Sequence, residues 1–238
     1  MVVKNKIVVT GGSGRFAQSL KKTRCKYKFI YPAKTQLNIM NLKSIRKYLK
    51  ITKPQSVLHL AGLSRPMIQH EKNINRSINL NIIGTANLVN ICSELKIKLI
   101  YFSTSYVYPG KKGNYKEYDA VLPWNNYAWS KLGGECAVQM YKNSLILRIC
   151  MTEKPFMHKN AFTNVKLNFI FHNELAKILV KILDKKGIIN LGGPTRTVYN
   201  FAKKYNPKVK KMFNKKNSPN TFPLKPFMSL SKLKELIK

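Results

Sequence analysis

The chain opens on a short β-branched run, Lys6 to Thr10 (KIVVT), that stops at Gly11-Gly12-Ser13-Gly14 and gives way to a helical pattern over 15–22. Further short apolar runs follow at 29–31, at 56–60 (SVLHL) and at 99–103 (LIYFS), and helical spacing covers about 74–95. Short, nearly unbroken apolar runs suit strands buried on both faces. Strands alternating with helices predict an α/β fold, here a Rossmann-like doubly wound parallel sheet.

The first turn gives that pattern a chemical meaning. Glycines let the backbone come close to a pyrophosphate, and the helix start beyond offers free N–H groups. A strand, a glycine turn and a helix in that order predict a dinucleotide site at Gly11, Gly12, Ser13, Gly14, Arg15 and Phe16. The third strand runs through Leu60 into Ala61-Gly62, small residues against which a cofactor can lie. After the second strand, NAD-preferring folds normally supply an acid for the ribose hydroxyls, and this chain has none. Lys34 follows instead, with Arg15 nearby, so the cofactor is NADP or NAD with a tilt to NADPH. Asn38 and Asn41 read as adenine contacts or as turn residues.

At the end of the 99–103 strand stand Thr104, Ser105 and Tyr106, and carboxyl ends of strands are where open α/β sheets place ligands. Tyr127 and Lys131 follow, four residues apart and so on one helix face. An ammonium beside a phenol favours the phenolate, which predicts a tyrosine able to give or take a proton.

Composition adjusts this picture only in part. At 238 residues the chain forms one well-cored domain, or a large one with a small appendage. No apolar run nears the roughly 18 residues of a membrane span, and the start carries no cleavage site, so a cytoplasmic protein without membrane association is expected. Cys25, Cys92, Cys136 and Cys150 are scattered, and neither a disulfide framework nor a metal site is expected. The formal charge is +35, with the densest lysines at Lys203, Lys204, Lys208, Lys210, Lys211, Lys215 and Lys216. Arginines and exposed aromatics are sparse there, which disfavours nucleic acid and favours a small anionic substrate.

Glycine turn, strand-end hydroxyl, tyrosine and lysine together resemble the extended short-chain dehydrogenase/reductases. The resemblance rests on 10–17 (TGGSGRFA), on 59–62 (HLAG), on Asn81 with Gly84-Thr85, on 103–108 (STSYVY) and on 127–131 (YAWSK). It is strongest for the dTDP-4-dehydrorhamnose reductase branch, whose later segments are similar to 145–149, 190–194 and 229–233. It implies an NAD(P)-binding domain over 1–150 and a small substrate-binding region over 151–238, interleaved with it. It also implies Thr104, Tyr127 and Lys131 as catalytic residues, with Asn81 and the glycine turn on the cofactor. Ser105, Tyr106, Arg148 and Arg196 are candidates for the substrate, a guanidinium suiting phosphate oxygens.

Ala17 replaces the usual third glycine, and Ser105-Tyr106 stand where sugar-nucleotide dehydratases keep an acid pair, which argues against dehydration. The expected activity is NAD(P)H-dependent reduction of a nucleotide-linked 4-keto-sugar, with a second copy of the chain as a candidate partner. A nucleotide-sugar epimerase is one alternative. A non-catalytic NAD(P)-binding protein with a polyanion-binding surface is another.

Overall fold

The computed structural model describes residues 5–215 and 222–238, so Lys216 of the lysine cluster lies outside the described residues. In chain order the first half runs β1 (Lys6–Thr10), α1 (Arg15–Lys21), β2 (Lys28–Ile30), α2 (Leu42–Thr52), β3 (Ser56–His59), α3 (Gln69–Lys72), α4 (Ile74–Ile78), a π-helical turn (Asn79–Ile83), α5 (Gly84–Glu94) and β4 (Lys98–Thr104). The second half runs α6 (Asn126–Gln139), β5 (Ser144–Ile149), β6 (Met151–Thr152), β7 (Asn160–Phe162), β8 (Lys166–Leu167), β9 (Ile170–Phe171), α7 (His172–Ile182), β10 (Gly187–Leu191), β11 (Arg196–Thr197), α8 (Val198–Lys203), β12 (Lys210–Met212) and α9 (Ser231–Ile237).

Six strands form one parallel sheet in the order β10-β5-β4-β3-β1-β2. From β1 the chain goes to β2 on one side and then to β3 on the other. The order therefore reverses between β1 and β3, the place where such sheets hold ligands beyond their carboxyl ends.

Each strand feeds two cores, because successive side chains point to opposite faces. Ile7 and Val9 of β1, with Leu145, Leu147 and Ile149 of β5, pack under Phe16 and Leu20 of α1, under Leu175 and Leu179 of α7, and under Leu233 of α9. Val8 and Ile146 face the other way, onto Ile45 and Leu49 of α2 and onto Leu88 and Ile91 of α5. Residue 150 is not a break in packing: β10 completes the main sheet beside β5, and α7 lies against α1. The remaining short strands pair two by two, and Ala161 of β7, Leu167 of β8 and Phe171 of β9 join a third core with Phe156, Phe201 and Met228, and with Val107 and Tyr108 from the segment after β4.

Polar side chains set the helix starts. Asn41, Asn73, Asn125 and Thr197 each accept a backbone N–H from the first turn of α2, α4, α6 and α8. Asn41 is thereby a cap; Asn38 accepts from the backbone N–H of Met40 at 3.0 Å and also borders the cleft beyond the strand ends. The helix expected over 74–95 is split by the π-helical turn, an inserted residue of a kind that often marks functional sites. Among the described residues no helix is long and apolar enough to cross a membrane.

Candidate active site

A cleft of about 1140 Å³ opens along the carboxyl ends of the sheet. Its floor starts at the glycine turn. Gly11 has φ +71, and a Cβ there would lie 2.7 Å from the backbone nitrogen of Ala61, so the turns after β1 and β3 meet back to back. Gly12 lies against the ring of Tyr31, and Ala17, in the place of the third glycine, is buried and fits as it stands. Gly11, Gly12, Ser13, Gly14, Arg15, Phe16, Leu60, Ala61 and Gly62 all line the cleft.

The same cleft receives Thr104, Ser105 and Tyr106 from the end of β4, and Tyr127 and Lys131 from α6. Asn125 caps that helix by accepting the N–H of Ala128 at 2.8 Å, which puts Tyr127 in the first turn and Lys131 one turn deeper. Lys131 is only 9 % exposed, with Nζ 4.1 Å from the centre of the Tyr101 ring. Tyr101 also donates to the carbonyl of Lys131 at 2.9 Å. Burial pulls the ammonium down to about 7, with Glu135 opposing the shift. The phenol of Tyr127 is raised by burial, against a hydrogen bond to Thr104 and the charge of Arg65. The groups that lower the tyrosine against burial are Thr104 and Arg65, while burial brings the lysine's own pKa close to neutral.

A buried chain of hydrogen bonds ties this floor together. Thr10 accepts from the N–H of Ala61 at 3.2 Å and meets His59 Nδ1 at 2.8 Å. On the far side His59 Nε2 meets Thr85 Oγ1 at 3.0 Å, and Thr85 donates onward to the carbonyl of Asn81 at 2.8 Å. With that hydroxyl proton committed, Nε2 is the donor, and in the neutral ring Nδ1 accepts from Thr10. Burial, with the charge of Lys131 beside it, lowers its pKa to about 3.

Three nominated residues sit elsewhere. Asn81 does not line the cleft; its amide donates to the carbonyl of Leu63 at 2.9 Å and to Ser130 at 2.8 Å, and its oxygen accepts from the N–H of Leu63 at 2.8 Å. It pins the loop after β3 to α6, aimed there by the π-helical turn. Arg148, nominated for a phosphate, is 3 % exposed and bound to Glu135 at 2.6 and 3.0 Å, with further bonds to Tyr108 and to the carbonyl of Glu117. A guanidinium in the middle of an all-buried strand needs an internal acid, and Glu135 is that acid. Arg196 is exposed on β11, outside the cleft.

Other cleft residues escaped sequence reasoning: Lys21, Arg65, Arg76, Glu153 and His172. Glu153 forms ion pairs with both Arg15 and Arg65 through one oxygen. The only local signal for Arg65 is its place just past HLAG, at a strand end. Two hydroxyls on the cleft wall, Ser105 Oγ and Tyr31 Oη, are buried without a hydrogen-bond partner among the described residues, and the thiol of Cys150 stands beside Ser105.

The geometry has parallels in known proteins. A family model for the RmlD substrate binding domain matches residues 5–180. The chain is 27 % identical over 158 residues to methionine adenosyltransferase 2 subunit beta of Xenopus laevis, 62 % of this chain and 47 % of that one. It therefore spans about half the length of such curated relatives. To a dTDP-4-dehydrorhamnose reductase of Aggregatibacter actinomycetemcomitans it is 26 % identical over 197 residues, covering 80 % of this chain and 63 % of the other. Its fold is similar to that of the Bacillus anthracis dTDP-4-dehydrorhamnose reductase solved in complex with NADP, with a TM-score of 0.86, 19 % identity and coverage of 99 % and 92 %. With the family model matched from the first strand into α7, this chain belongs to the RmlD substrate-binding-domain family.

Proposed function

We propose that this protein reduces the keto group of a nucleotide-linked 4-keto-sugar with NAD(P)H. One observation carries the reading: Thr104, Tyr127 and Lys131 meet the glycine turn in a single cleft at the reversal point of the sheet. The cleft suits a dinucleotide. Its glycine floor admits a backbone-hugging ligand, two buried hydroxyls await partners, and its lining holds six lysines and arginines against one acid, Glu153. Gly11 to Gly14 would hold the pyrophosphate and Lys131 the nicotinamide ribose. Lys21 and Lys34 border the adenosine end, and neither pairs with an acid among the described residues, which favours NADPH.

The dinucleotide, when bound, supplies the hydride. Tyr127, whose raised pKa keeps its proton at neutral pH, donates that proton from Oη to the oxygen of the reduced carbonyl. Thr104 hydrogen-bonds the same oxygen. Lys131, brought to about 7, is matched to return a proton to the tyrosine after turnover. The pocket for the sugar draws on Tyr106 and on residues 151–238 through Glu153, Phe169 and His172.

Cofactor oxidation over a panel of nucleotide 4-keto-sugars, run with NADPH and with NADH, tests this reading. Tyr127→Phe should still bind cofactor and lose roughly 10²- to 10⁴-fold in kcat. Full turnover by that variant overturns the mechanism.

A further inference from the structure

If the substrate is a nucleotide-linked sugar, it carries a diphosphate that needs a cation of its own. The two arginines that the sequence offered are excluded by position: Arg148 is locked onto Glu135 in the interior, and Arg196 stands outside the cleft. Besides Arg15 in the glycine turn, two other guanidiniums border the cleft, those of Arg65 and Arg76. Arg65 follows β3 on a loop whose Leu63, two residues before it, is held at both its N–H and its carbonyl by the buried Asn81. Its side chain is 41 % exposed, and its one ionic contact among the described residues is a single 3.3 Å approach to Glu153 Oε1, an oxygen it shares with Arg15. One carboxylate charge thus serves two guanidiniums, and most of the Arg65 donor fork is uncommitted.

We propose that Arg65 is the residue that binds the diphosphate of the substrate, with Glu153 holding the guanidinium in place until that anion takes over. The inference rests on the nucleotide-sugar reading above and names the substrate contact within it. Arg65 lowers the phenol pKa values of both Tyr127 and Tyr106 and also acts on His172, which places its charge on the catalytic side of the cleft. A planar fork suits two phosphate oxygens at once, a geometry that lysine does not reproduce. The carboxylate has the complementary part: neutralising it leaves both arginines free for an incoming anion.

Calorimetric titration of dTDP and of UDP into the NADPH-saturated protein tests this without turnover. Arg65→Met should weaken the nucleoside diphosphate at least tenfold and Arg65→Lys by less, while NADPH affinity, measured separately, moves by less than threefold. Glu153→Gln should tighten the diphosphate, and Arg196→Met should leave it unchanged. Wild-type affinity in Arg65→Met overturns the assignment. So does an equal loss of NADPH and diphosphate binding, which would put Arg65 on the cofactor. If the wild type turns over no keto-sugar yet loses the diphosphate in Arg65→Met, the reductase reading fails and the Arg65 site stands. If it turns over keto-sugars and Arg65→Met binds as before, the reductase reading stands and Arg65 fails.

Discussion

A lysine held at about 7 in the folded protein, against an ordinary value of 10.5, is a burden on the fold. Below pH 7 the ammonium of Lys131 is charged in both states and its full desolvation penalty opposes folding. Between pH 7 and 10.5 the unfolded chain binds the proton and the folded chain does not, so stability rises with pH across that window. Above it the penalty is gone. Lys131→Met should therefore be more stable than the wild type at pH 7 while losing turnover, and the gap should close towards pH 10, as read from thermal melts of both proteins through that range. A constant gap would mean that the amine keeps its charge in the fold. His59 follows the same sign in a lower window. Its depressed pKa contributes stability above pH 6.5 that is lost as pH falls towards 3, because charging the ring removes the acceptor that Thr10 uses. One acts on the alkaline side and the other on the acid side, and both are consequences of closing the catalytic floor to water.

At the level of elements, the site depends on how closely α6 approaches the π-helical turn. Gly134 marks the contact: a Cβ there would lie 2.5 Å from the carbonyl of Asn81 and 2.6 Å from Tyr101 Oη, the hydroxyl that holds the Lys131 carbonyl. Gly134→Ala should push α6 outward at a cost of roughly 1–3 kcal/mol, lowering Tm by about 2–4 °C per kcal/mol in a chain of this size. Activity should fall as well, since Tyr127 and Lys131 ride on the same helix; an unchanged Tm would show that the helix yields without strain. The approach was not legible in advance. The strands, the glycine turn, Thr104, Tyr127 and Lys131 could be read because each follows from local periodicity or from a place at a strand end. The π-helical turn depends on contacts with α6, some 50 residues later in sequence, and breaks the helical period without any local signal. Arg148 misled for a related reason. An arginine inside the apolar run LILRI announces a buried partner, but nothing local names Glu135 on another element. The Arg65 to Glu153 pair spans 88 positions and is invisible to any local pattern.

Over the whole molecule, 44 lysines and arginines face 9 acids, and the acids that remain hold particular joints. Glu135 satisfies Arg148 in the interior, Glu94 ties α5 to Arg46 of α2, and Asp119 caps a turn and pairs with Lys112. Glu117 accepts the N–H of Asn190, and Glu153 joins the two cleft arginines. Few are left to dilute the surface lysines, so the compact state carries its positive charge largely unopposed. Such self-repulsion weakens folding and is screened by salt, the Debye length shrinking from about 30 Å at 0.01 M to about 8 Å at 0.15 M. The mostly exposed ion pairs, worth at most about 1 kcal/mol each, lose strength under the same screening. Repulsion among the surplus cations outnumbers these attractions, so the net sign is set by the surplus. Thermal melts at fixed pH should therefore show Tm rising as NaCl goes from 0.01 to 0.5 M, most steeply at the low end. Replacing NaCl by phosphate at equal ionic strength should raise Tm further, because an anion that binds the cleft stabilises the folded state by mass action. A Tm that falls with NaCl would mean that the few ion pairs outweigh the surplus charge.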